Sequence, residues 1–279
     1  MKVVPIAADS MGVRSMATYV QTEELNIMID PSAALGPLRY GLPPTKQEWY
    51  ALAHYKNAIS KIAKKCDALI ITHYHYDHYD PYEKFYESKT LFLKEIERNI
   101  NASQKKRGRE FLKSLPECEK IFCDGKEFKF GRTKIRFSKP YPHGEPTTRL
   151  GKIIMCTIEE KEKLLYTSDT QGPIDRDAME YIIEEMPDIL IIDGPPTIFL
   201  GWKLSRKNFE QSKKNLLEIV NNVNGKIILD HHLLRDLKYK ELLKEVYESF
   251  KRSEILTMAE YLGKENNMLE AKRKELYGG

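Results

Sequence analysis

Thr72-His73-Tyr74-His75-Tyr76-Asp77-His78-Tyr79-Asp80 follows directly on the apolar run Ala68-Leu69-Ile70-Ile71 and holds three of the chain's seven histidines. The apolar run predicts a buried strand over 67–72. Side chains on a strand repeat every two residues, so His73 and His75 are expected to leave its end on one side, placed to share a metal ion. Asp77 and His78 then fall on the following turn, where a carboxylate and a third imidazole can face a second ion across a shared water. A lone histidine in a polar loop is ordinarily just solvated. Four donors at this spacing point instead to metal.

A site for two ions needs more donors than one loop carries, and three later strand-like runs each end in one. His143, in Tyr141-Pro142-His143-Gly144, follows the run at 134–138. Asp169 closes the β-rich run 163–169, where a strand would deliver a carboxylate to a sheet edge. The run Lys226-Ile227-Ile228-Leu229-Asp230 ends in the pair His231-His232, of which register alone decides the donor. A fourth run, 188–193, is continuously apolar like a central strand buried on both faces, and stops at Asp193 before Gly194-Pro195-Pro196.

The His-x-His-x-Asp-His pattern behind a hydrophobic strand resembles the signature of the metallo-β-lactamase superfamily, and the later donors occur in that family's order. The resemblance runs from the step Ile29-Asp30-Pro31 to the final histidine pair and is closest to a largely archaeal branch. It implies an α/β fold, a four-layer αβ/βα sandwich of two mixed β-sheets flanked by helices, with a dinuclear site along one edge. It further implies metal ligation by His73, His75, Asp77, His78, His143, Asp169 and His231. Asp169 would bridge both ions, since its two oxygens can address two cations at once. The text around His231 is similar to the ending of nuclease-type members and favours it over His232, which is then free to act on substrate. Asp30 would brace the metal loop.

Length and composition fit this reading. A chain of 279 residues suffices for one large domain over 1–279, with a helical insertion at about 81–117. The net charge of +4, from 45 basic and 41 acidic residues, describes a mixed surface and gives no independent sign of nucleic-acid binding. Cys66, Cys118, Cys123 and Cys156 form no Cys-x-x-Cys pair and suit free thiols in a reducing compartment. No leader-like or membrane-length apolar segment is present, so a cytoplasmic location with no membrane partner is expected.

Helices are expected from Thr45, which with Glu48 makes a capping box, and at 91–115, 175–185, 205–222 and 239–250. In the first, Trp49, Leu52, Ile59 and Ile62 should be core, and His54 structural. In the last, Tyr239, Leu242, Leu243, Val246, Tyr247 and Phe250 should form the buried face. Residues 15–22 and 25–30 read as a hairpin.

Two divalent ions, zinc foremost with Mn or Fe as alternatives, would lower the pKa of a bound water from about 15.7 to about 7 and so supply a hydroxide nucleophile. The expected function is a metal-dependent hydrolase acting on an ester, lactone or phosphodiester, with Asp77 orienting the nucleophile and His232 available to protonate the leaving group. Its substrate would be a small molecule or a nucleic acid. A nuclease is the sharper alternative, supported by the basic segment Lys105, Lys106, Arg107 and Arg109. An iron-dependent redox enzyme and a non-catalytic metal-binding protein are the others. The diiron branch usually has glutamate where this chain has His75.

Overall fold

A computed structural model describes residues 1–249 and 255–278. In its first sheet, β1 (Lys2–Pro5), β2 (Thr18–Gln21) and β3 (Asn26–Ile29) form an antiparallel meander. Helix α1 (Lys46–Ala63) then crosses over to β4 (Ala68–Ile71), which pairs parallel to β3. Strand β5 (Thr90–Leu93) follows in parallel, and helix α2 (Ala102–Ser114) leads to β6 (Glu119–Phe122) at the edge, giving the order β1-β2-β3-β4-β5-β6.

The second sheet repeats this plan. Strands β7 (Glu127–Phe130) and β8 (Thr133–Phe137) form its antiparallel part, and a two-residue ribbon of β9 (Tyr141–Pro142) and β10 (Lys152–Ile153) stands beside it. Strands β11 (Cys156–Glu159) and β12 (Lys163–Tyr166) continue the antiparallel run. Helix α3 (Arg176–Glu185) leads to β13 (Ile189–Asp193), and α4 (Arg206–Asn222) to β14 (Lys226–Asp230), both strands parallel to β12. After α5 (Tyr239–Leu242) and α6 (Lys244–Ser249), β15 (Ile255–Leu256) closes the order β15-β14-β13-β12-β11-β8-β7. Short helices α7 (Met258–Tyr261) and α8 (Arg273–Gly278) complete the described chain.

Alternating side chains sort these strands into layers. Ile27, Ile29, Ile70 and Phe92 of the first sheet meet Ile135, Ile158, Ile191 and Ile228 of the second in a dry interior. Leu69, Ile71 and Leu93 point the other way, to Ile59, Ala63 and Phe111 of α1 and α2. Leu190, Ile192 and Leu229 do the same against Ile182, Leu216 and Ile219 of α3 and α4. The result is the expected αβ/βα sandwich, each buried aliphatic side chain contributing about 1.5–3 kcal/mol. Residues 189–193 are buried on both faces, as their continuous apolar run predicts.

The helix starts at 175–185 and 205–222 are those expected, capped by Asp175 and Ser205. Three readings are corrected. Residues 91–93, expected within a helical segment, belong to β5, because pairing with β4 and β6 on both sides outweighs a short run's local preference. The helix of that segment starts only after the cap Asn101. Trp49 is 56% exposed rather than core. The inward residue of that turn is Glu48, and its neighbour lies about 100° further round the helix. The helix expected over 239–250 breaks at Leu243 (φ −106°), which is itself fully buried and turns α6 onto α4. Tyr239 and Val246 are buried as expected; Phe250 lies outside the described residues. His54 is exposed on α1.

Glu48 completes the capping box with Thr45 and also receives Arg273 of α8 at 2.6 Å, both side chains being fully buried. Arg273 further donates to the carbonyls of Gly36 and Leu42, pinning the segment before α1. A buried ion pair is costly to break from one side. Arg273→Met is therefore expected to destabilise the fold by about 3–5 kcal/mol, with Glu48→Met/Arg273→Met recovering part of the loss, as read by chemical denaturation.

Candidate metal centre

The expected donors converge at one rim of the sandwich, beyond the ends of β4, β12 and β14. The strand β4 stops at Ile71, so His73 and His75 are not brought together by strand alternation; the loop after it folds them together, ring centroids 4.6 Å apart. That loop is held by Asp30, whose carboxylate accepts from the Thr72 amide (2.8 Å), the Thr72 hydroxyl (2.6 Å) and, across the sandwich, the Tyr166 hydroxyl (2.9 Å).

Asp169 sits at the centre. Nε2 of His143, His78, His231 and His73 lie 2.9, 3.0, 3.3 and 3.5 Å from its oxygens. Two groupings lie beside it, one of which includes it. His73, His75, His143 and Asp169 place one donor atom each within 4.8 Å of one another, and so do Asp77, His78 and His231. His231 Nε2 stands 3.3 Å from Asp169 and 3.8 Å from Asp77. His232 also has an atom in reach of Asp169 and His231, but its Nδ1 is turned onto Asp193 at 3.0 Å.

The rear nitrogens explain this convergence. Nδ1 of His78 meets Asp30 at 2.8 Å, that of His73 meets the Ser168 hydroxyl at 3.2 Å, and that of His143 the Gln171 amide at 3.4 Å. Nδ1 of His231 meets Asp9 at 2.8 Å and the Ser15 carbonyl at 3.2 Å. With each ring fixed from behind, Nε2 is aimed inward, which is how outer partners orient metal-binding imidazoles. Among the described residues, Nε2 of His73, His78 and His143 and Oδ1 of Asp169 are buried and, although the three nitrogens stand 2.9–3.5 Å from the Asp169 carboxylate, none of these atoms makes a well-aligned hydrogen bond. Buried polar atoms are ordinarily satisfied. Four such atoms aimed at one place fit a cation, and imidazole with carboxylate suits a divalent ion.

Burial pushes the His75 imidazole down to about 3, keeping it neutral and able to donate a lone pair. Burial also works against charge on His231, but the Asp169 and Asp9 carboxylates outweigh it and raise that imidazole to about 10. Burial would raise Asp77; the neighbouring His78 and His231 instead hold it down to about 2. Without metal, protons on the imidazoles balance the carboxylates.

Several residues of the centre had no signal in the sequence. Asp9 lies in a single 3-10 turn near the start of the chain, yet orients His231 and accepts from Arg235 Nε at 2.7 Å. Arg235 is buried, its Nη2 3.2 Å from His231 Nε2 and 3.7 Å from Asp77. Asp193, which reads most simply as a turn residue, accepts from the backbone amides of His232 and Gln171 as well as facing the His232 ring. A pocket of about 940 Å³ opens over His75, Asp77, His143, Asp169 and His232.

A two-sheet sandwich with a histidine and aspartate cluster on its rim defines a protein of the metallo-β-lactamase superfamily, whose family model matches residues 11–79. Within that class the chain belongs to the UPF0282 family. It is 44% identical to the UPF0282 protein of Methanocaldococcus jannaschii, over 100% of this chain and 97% of that one. Its fold is similar to that of an isothiocyanate hydrolase from Delia radicum gut bacteria (TM-score 0.55, 15% identity, covering 92% of this chain and 96% of that one). It is similar also to a possible metal-dependent hydrolase from Veillonella parvula (TM-score 0.54, 15% identity, 88% and 94%). Divalent metal binding is the property this fold and cluster imply. No helix among the described residues is long and apolar enough to cross a membrane.

The raised His231 has a sign that can be tested in protein stripped of metal. Its stabilising contribution is fully present below the unfolded histidine pKa of about 6.5 and is lost as pH rises through about 10. The melting temperature of stripped wild type is expected to fall more steeply between those limits than that of His231→Gln. Equal slopes would remove the proton from His231.

Proposed function

We propose that this chain is a metal-dependent hydrolase acting on an ester, lactone or phosphodiester bond. His73, His75, His143 and Asp169 would hold one divalent ion, and Asp77, His78, His231 and Asp169 a second. Zinc suits this set best, with Mn or Fe as alternatives. The observation that carries the reading is the group of buried atoms on His73, His78, His143 and Asp169, which converge on one place without a well-aligned hydrogen bond among them. When bound, such ions supply a hydroxide nucleophile at neutral pH and a Lewis acid for the attacked oxygen.

The chain's own residues do the rest. Asp77 faces both the cluster and the pocket, where its carboxylate can orient the attacking water. His232 lines the same pocket with its Nδ1 tied to Asp193, so its ring cannot swing and Nε2 is the nitrogen left to exchange a proton with the leaving group. His231 serves as ligand, since Asp9 and Ser15 turn its Nε2 onto Asp169 and Asp77. The pocket's volume lies in the range of small-molecule sites.

A panel of nitrophenyl esters, lactones, bis-nitrophenyl phosphate and short RNAs, assayed with Zn, Mn, Fe and Ni, tests the activity. His75→Ala is expected to abolish hydrolysis and to lower the bound metal measured by elemental analysis. His232→Gln is expected to slow turnover while leaving metal content unchanged. Full activity in His75→Ala would overturn the mechanism.

A further inference from the structure

We infer that Arg107 is a specificity residue that receives an acidic group, carboxylate or phosphate, on the substrate of the metal centre. This rests on the hydrolase reading above. Arg107 lines the pocket over the cluster, and its guanidinium carbon lies 5.7 Å from the centroid of the Tyr76 ring, the residue after His75.

Its place is set by how α2 docks on the metal loop. Gln104, one turn earlier, is buried; its Oε1 accepts from the Tyr74 amide at 3.2 Å and its Nε2 donates to the Leu150 carbonyl at 2.7 Å. Gly108, the next residue, sits so close to Ile96 and Tyr74 that an added Cβ would meet them at 2.7 and 3.1 Å. The helix is thus pressed onto the loop on either side of Arg107, which fixes where its side chain leaves the helix beside the pocket.

Among the described residues this arginine is in neither an ion pair nor a hydrogen bond, and its Nε is buried without a partner. Its helix neighbours differ. Lys105 and Arg109 both pair with Glu97, at 2.8 Å each. Of the other cations that line the pocket, Arg14 pairs with Glu270 and Arg235 with Asp9, while Arg149 and Lys203 are exposed. The acid on the pocket wall, Glu145, is taken up by Asn208. A part-buried guanidinium with no anion is an unfavourable arrangement that a bound carboxylate or phosphate would relieve, and the planar fork matches either group bidentately. The basic segment on α2 therefore divides: its paired members belong to the helix surface, and Arg107 to the site.

Binding read by calorimetry, without turnover, separates this inference from the hydrolase reading. The probes are phenylacetate, phenyl phosphate and neutral 2-phenylethanol, added to zinc-loaded protein. Wild type is expected to bind at least one of the two anions in preference to the alcohol, and the favoured one identifies the acidic group. Arg107→Gln should weaken that anion by about tenfold or more, Arg107→Lys by less, and the control Lys105→Gln not at all. Equal anion binding by wild type and Arg107→Gln, or no preference for either anion in wild type, overturns the inference. So does binding of a short RNA that Arg107→Gln and Lys105→Gln weaken alike, which would assign α2 to nucleic acid. If anions bind through Arg107 but no ester, lactone or phosphodiester is cleaved, the hydrolase reading fails while this one stands.

Discussion

Everything at the rim is arranged around one buried carboxylate. Asp169 has four imidazole nitrogens within 3.5 Å, from three different parts of the chain. Such crowding is electrostatically unfavourable unless positive charge is shared among the groups, whether as protons or as metal. The surrounding scaffold answers that need. Asp30, Asp9 and Ser168 fix the rings from behind, so no ring can rotate away to satisfy its own nitrogen.

Three residues mark where strands hand over to this rim. Asp30, Ser168 and His231 follow β3, β12 and β14, and each has positive φ, at +48°, +55° and +67°. Left-handed backbone is uncommon for side-chain-bearing residues, and of these three serine has the least excuse for it. At each point the chain must leave the sheet abruptly and turn a polar side chain inward. Strain of this kind persists only where the surroundings over-determine it. Here they do: Ser168 is held by Thr72 at 2.7 Å, and His231 by its contacts to Asp9 and Asp169.

The clustered residues were legible because the local chemistry is dense: His73, His75, Asp77 and His78 fall in one short stretch, and Asp169 and the histidine pair follow apolar runs. The layered fold was legible for a related reason, since β4 is apolar throughout and β13 and β14 carry continuous apolar runs that end in Asp193 and Asp230. What was hidden is contact between distant parts of the chain. Asp9 lies 222 residues from His231, and Arg107 looks no different in sequence from Lys105 or Arg109 until Glu97 is seen to claim those two. Glu48 reads as a helix cap, and nothing local shows that Arg273 also needs it. The strand β5 was misread because only its neighbours make it a strand.

The hydroxyl of Tyr166 reaches from the second sheet to Asp30 on the first, through an interior that is otherwise aliphatic and aromatic. Together with the Thr72–Ser168 contact at the rim, that polar tether acts as a calliper. His73, His75 and His78 ride on one leaf, His143, Asp169 and His231 on the other, and the gap between the leaves sets how far apart the two sets of donors stand. The spacing of the rim cluster is thus partly a property of the hydrophobic interior: a change in side-chain volume far from the rim would retune the aperture without touching a single residue of the cluster.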